Sequence, residues 1–126
     1  MSICLLYLMV IKKEGIKMKE QINLFDNANW QDASEYGSGA KKKTLRDENG
    51  AKTILLRLPK NFHMEAHAHV TIEQHFIIKG KYKSEGKTYK KGTYQIFQSH
   101  ENHGPFESKK GALVLVVWDP YSTEKK

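Results

Sequence analysis

A chain of 126 residues, 39% of them hydrophobic, has room for one domain around one core and not for two. Its formal charge of +7 does not describe a sequence-specific nucleic-acid reader, because every cation except Arg46 and Arg57 is a lysine, and base-edge recognition leans on the planar fork of arginine. No stretch reaches the roughly 18 apolar residues of a membrane span, and the single cysteine, Cys4, cannot form an intramolecular disulfide, so a cytoplasmic setting with neither nucleic acid nor membrane as partner is expected.

In chain order, residues 2–11 are apolar, but positive charges follow them instead of preceding them and no small-residue cleavage site appears, the wrong order for a secretory signal. Met18 opens an ordinary polar amino terminus, and Glu14-Gly15 is compatible with a purine-rich stretch just upstream of its codon. Residues 1–17 are therefore read as a mis-assigned start or a disordered extension. Residues 18–50 are polar, with anchors at Leu24, Phe25, Trp30 and Tyr36, and read as a lead-in with edge strands. Asn49-Gly50, set between two β-favouring runs, predicts a hairpin. The barrel core is expected over 51–120, with 121–126 as a tail. Within the core, strands are expected at Thr53–Leu58, Glu65–Val70, Glu73–Lys79, Gly80–Lys83, Lys87–Tyr89, Thr93–Phe97 and Ala112–Trp118. Nothing between Ala51 and Trp118 sustains a 3.6-residue apolar period, so the class is all-β, and many short strands at this spacing make a sandwich or barrel. The lysine runs fall at turns and ends and read as solvated surface.

All six histidines lie between positions 63 and 103. His67 and His69, two apart in a strand-like run, would present both imidazoles to one face. Two half-buried strand histidines bonded to backbone would look the same, so the pair alone decides little. Glu73, at the start of the next strand-like run, strengthens the case, because a tight turn would return its carboxylate beside the imidazoles and the three groups together suit a metal ion. His75 shares the parity of Glu73, as does Ile77, and should face the interior.

These spacings resemble the cupin superfamily, whose first motif runs G-x5-H-x-H-x3,4-E-x6-G and whose second runs G-x5-P-x-G-x2-H-x3-N. Here Asn61, His67, His69, Glu73 and Gly80 keep every interval of the first, and Gly92, Gln98, His100 and His103 those of the second. The chain departs from the pattern at Asn61 for the opening glycine, at Gln98 and His100 for the Pro and Gly of the second turn, and at Glu107 for the trailing Asn. Asn tolerates a left-handed backbone, whereas the changes at Gln98 and His100 put the loop delivering His103 in question. The stretches Glu85–Tyr94 and His103-Gly-Pro-Phe are similar to small cupins related to the sensor module of zinc-binding anti-sigma factors.

The resemblance implies an antiparallel jelly-roll β-barrel holding one divalent transition metal per chain (Fe, Mn, Ni, Co or Zn) through His67, His69, Glu73 and His103. From the superfamily's habits it implies a metal-dependent enzyme acting on a small oxygen-bearing molecule, dioxygenase-like, with Glu73 and His75 as catalytic groups; the alternatives are a non-catalytic metal or ligand sensor and, last, a metal-free structural barrel. His75 would orient Glu73, act as a general base toward substrate, or sit as a core histidine bonded to backbone. His63 and His100 read as loop residues, with His100 close enough to His103 to substitute as a ligand. Inward Glu73, His75 and Ile77 turn Gln74, Phe76 and Ile78 outward, and Ala112–Trp118 is apolar throughout; the lead-in around Leu24, Phe25 and Trp30 could cover part of this surface, from its own chain or by exchange from a neighbour, and a homodimer packed on these outer faces is expected.

Overall fold

The computed structural model describes residues 21–121; the expected start at Met18 and nearly all of the tail lie outside them. Among the described residues nine strands form: β1 (Gln31–Asp32), β2 (Lys41–Glu48), β3 (Ala51–Leu58), β4 (Phe62–Met64), β5 (Glu73–Ser84), β6 (Lys87–Lys90), β7 (Tyr94–Phe97), β8 (Phe106–Ser108) and β9 (Ala112–Trp118). Every pairing is antiparallel, and no helix occurs among the described residues. The order β1-β2-β3-β9-β5-β8-β4, with β6 and β7 also on β5, curls into the expected jelly-roll half-barrel.

β5 makes the curl. Its first half pairs with β7 and β9, its second half with β6 and β8. Between them the register slips at Ile77/Lys79, and Gly80 takes φ 74°, where a Cβ would lie 2.4 Å from the carbonyl oxygen of Gly111. A bulge followed by a left-handed residue bends a strand and re-aims its side chains. Asn49-Gly50 turns between β2 and β3 with φ 52° and 82°, the positive pair of a type I′ hairpin.

One expected strand is absent. Residues 65–70 are irregular apart from an isolated bridge at His67. The ladder β4–β8 stops at Met64↔Phe106 because the next residue on the partner side is Pro105, which has no N–H to give. Pairing resumes for one step only, at His67↔His103.

Alternation along β3 and β9 sends Ile54, Leu56, Leu58, Val114, Val116 and Trp118 inward onto Phe62, Ile77, Tyr82, Phe97 and Phe106. Burying such a side chain contributes about 1.5–3 kcal/mol relative to exposure. The opposite face of β2 and β3 is covered by the chain's own lead-in. The Trp30 ring lies 4.8 Å from Lys43 Nζ and 4.5 Å from the Arg57 guanidinium, and Lys43 Nζ donates to the Asp26 carbonyl at 2.6 Å. Leu55 and Leu113 are thereby buried, while Phe76, Ile78, Leu115 and Val117 remain half-buried and Tyr94 and Ile96 exposed.

Candidate metal centre

The centre is assembled by two irregular connections stitched together through their backbones. His67 N–H donates to the His103 carbonyl at 2.9 Å, His103 N–H returns to the His67 carbonyl at 2.8 Å, and His100 N–H donates to the His69 carbonyl at 2.7 Å. His100 takes φ 62° where the motif has glycine, and Asn61 takes φ 59°, so both substituted turns keep the left-handed backbone their positions require. The loop doubted from sequence does deliver His103.

Each of two imidazoles is then aimed by its own chain. The Nδ1 of His67 sits 3.1 Å from the Glu65 carbonyl and that of His103 3.2 Å from the Glu101 carbonyl. A carbonyl can only accept, so both Nδ1 atoms carry the proton and both Nε2 atoms are left as ligating lone pairs. The rings of His67 and His69 lie 4.8 Å apart, and those of His67 and His103 4.5 Å apart.

Glu73, the first residue of β5, is buried beneath them. Oε1 accepts the indole N–H of Trp118 at 2.6 Å and lies 3.0 Å from His69 Nε2; Oε2 lies 2.5 Å from His75 Nε2 and 3.6 Å from His103 Nε2. Burial alone would raise the carboxyl's pKa, but hydrogen bonding to the imidazoles, of which His75 is the one in line to donate, brings it below the usual carboxylate range. Burial pushes the His67 imidazole below its ordinary value, which also favours the neutral, ligating form.

His75 does not reach the cluster's open side. It is buried, with Nε2 on Glu73 and Nδ1 3.0 Å from the Tyr82 hydroxyl, which donates to Gln95 Oε1. This makes a polar rod from Gln95 to Glu73 inside an aromatic shell of Phe97 and Phe106, whose rings lie 4.8 and 5.6 Å from His75. His63 stands apart on β4, exposed and shared between Glu65 and Glu107, and His100 is exposed in its loop.

The four residues fit a metal ion. Their ligand atoms lie within 4.8 Å of one another, whereas bonds of about 2.1 Å to a common ion set opposite ligands about 4.2 Å apart, a closure of a few tenths of an ångström. The Nε2 atoms of His69 and His103 are buried without a hydrogen-bond partner; the 3.0 Å approach of His69 to Glu73 is close but not in line for a hydrogen bond. Orphaned buried nitrogens are costly in a native site, and an ion at their convergence satisfies both. The side chains open on a cleft of about 700 Å³ walled by Tyr36, Lys52, Glu65, His67 and His69.

A family model, the ChrR Cupin-like domain, matches residues 18–122. The chain belongs to this cupin family. Among solved structures it is similar to an acetylacetone dioxygenase from Acinetobacter johnsonii, with 16% identity over 82% of this chain and 75% of that one and a TM-score of 0.67. An RmlC-like cupin from Shewanella frigidimarina gives 17% identity over 86% and 97%, TM-score 0.67. The anti-sigma ChrR in complex with SigE of Rhodobacter sphaeroides gives 18% identity over 75% of this cupin and 50% of that chain, TM-score 0.63. At such identities the likeness establishes the fold. No curated protein matches.

Three contributors to the cupin's site escaped the sequence reading. Trp118 reaches Glu73 because the two are register partners across β5 and β9, a pairing of distant segments with no local signal. Tyr82 has the wrong parity for an inward residue counted from His75; the bulge at Ile77/Lys79 restores it. Gln95 follows from Tyr82.

Proposed function

We propose that His67, His69, Glu73 and His103 hold one divalent transition metal, and that the centre acts on a small oxygen-bearing molecule in a dioxygenase-like reaction. The observation that supports this most is the pair of buried, unpartnered Nε2 atoms of His69 and His103 facing the buried Glu73 carboxylate. The bound ion would supply Lewis acidity and open positions for oxygen ligands. The chain's own residues do the rest. Trp118 and His75 each fix one oxygen of Glu73, so the carboxylate that accepts a proton from the bound molecule is held in a single orientation. Phe97 and Phe106 exclude water from its inner side, and His75 acts through Glu73. Oxygen-uptake assays of the metal-reconstituted protein against small carbonyl and enol compounds test this; turnover with any of them supports an enzyme, and none with all of them rejects it.

Family membership favours a second reading, a sensor that binds a metal or ligand without turnover. The ChrR structure is a complex with a sigma factor, and the match spans half of the ChrR chain. We also propose a homodimer packed on the outer face where Phe76, Tyr94 and Ile96 are cross-strand neighbours. Phe76 and Tyr94 rings lie 4.9 Å apart there, beyond the reach of the lead-in that covers β2 and β3.

A further inference from the structure

Lys52 sits on β3 opposite Trp118 of β9, with Nζ 5.8 Å from the indole centroid. It walls both the 700 Å³ cleft and a smaller one of about 180 Å³, and the two clefts share Tyr36, Lys52 and His69. The lysine thus stands at the mouth of the centre, beside the indole whose N–H holds Glu73. Its charge there is uncompensated: among the described residues no carboxylate lies within bridging distance of it. Asp47, its cross-strand partner on β2, makes no bridge to it among the described residues.

The acidic residues of the larger cleft are already engaged. Glu35 takes Lys42 at 2.6 Å, and Glu65 takes His63 at 2.8 Å, a contact that raises the His63 pKa and so its share of positive charge. A half-buried ammonium beside an aromatic face, next to neutralised carboxylates, leaves a local field that attracts anions. Tyr36 adds a donor on the same wall, since burial pushes its hydroxyl up to about 12 and keeps the proton on.

We propose that Lys52 selects small organic anions for the metal centre: the molecule bound at the His67/His69 face carries a carboxylate that pairs with Lys52 Nζ, while a second oxygen faces the histidines. This rests on the metal reading above and narrows the substrate class to acids with two oxygen functions a short carbon chain apart. A surface lysine merely lying along Trp118 would show no such preference.

The test uses the full-length protein loaded with Co(II), as wild type, Lys52→Met and Lys52→Arg, titrated with malonate and with its uncharged counterpart malonamide, followed by the visible Co(II) bands and by calorimetry. Malonate should bind Lys52→Met on the order of 10-fold to 100-fold more weakly than wild type, the range a charge-assisted contact commands. The uncharged malonamide should bind both alike, and Lys52→Arg should keep most of the malonate affinity. Lys52→Gln serves in place of Lys52→Met if the latter fails to fold. Co(II) bound, but with malonate unaffected by loss of Lys52, overturns this inference and leaves the metal reading standing. Failure of Co(II) to bind overturns both.

Discussion

The interior of the barrel has two ends, equally buried and built on opposite terms. At one end the register rows of Leu56, Val114 and Ile77 and of Leu58 and Ala112 are apolar; at the other Glu73, His75 and His103 are 3%, 6% and 4% exposed. The apolar end is stabilised by area removed from water and tolerates hydrophobic substitutions of similar volume. The polar end is held by geometry: each oxygen of Glu73 has a donor, His75 is held from both sides, and the nitrogens of His69 and His103 face inward with no partner. A sequence selected for stability alone would fill such a place with apolar side chains, because buried charge costs more than it returns unless fully paired. The difference between the ends marks where the chain carries function.

Substitutions that break the polar end should separate the two most clearly. His67→Ala/His69→Ala should abolish tight metal binding altogether while the far-ultraviolet β signature persists, as measured by isothermal titration and circular dichroism. Tyr82→Phe comes next: it leaves His75 Nδ1 without its partner, and should weaken metal affinity about 10- to 100-fold and lower apo stability by about 1–3 kcal/mol, read by metal competition and urea unfolding. Acid should act on the same end. Because imidazoles ligate only when neutral, acid should release the metal. Burial has lowered His67, so its own protonation comes later than that of an exposed histidine; release that begins well above neutrality would contradict the ligand set. At the apolar end, Leu58→Met should cost less than about 1.5 kcal/mol and leave metal affinity unchanged. On the outer face, Phe76→Lys should yield monomers by sedimentation with metal content intact, because its side chain points away from Glu73. A wild type that is already monomeric at micromolar concentration would refute the dimer.

The two ends were also unequally legible in the sequence. The ligand candidates were readable because they sit at short, fixed intervals, and Asn49-Gly50 disclosed its hairpin because a type I′ turn needs those residues. What could not be read depended on interruptions of regular geometry. His67 and His69 were expected on a strand, where parity would aim them; their segment is irregular, cut from its ladder by Pro105, and the rings meet through the His67↔His103 bridge and the carbonyls of Glu65 and Glu101. The bulge at Ile77/Lys79 hid Tyr82 by inverting parity after His75. Trp118 is 45 residues from Glu73 and meets it only through sheet register. The lead-in was expected to be able to cover part of the outer face, and Trp30 lies there between Lys43 and Arg57 of the same chain.

All of this turns on whether the polar end holds an ion. Elemental analysis of the purified wild type after reconstitution with excess metal and removal of what is loosely bound gives the plainest answer. One equivalent of a transition metal per chain is expected, accompanied by a rise in melting temperature over the metal-stripped protein. Metal at a small fraction of stoichiometry, with identical melting curves with and without it, would contradict the account and leave the cluster as a buried hydrogen-bond network.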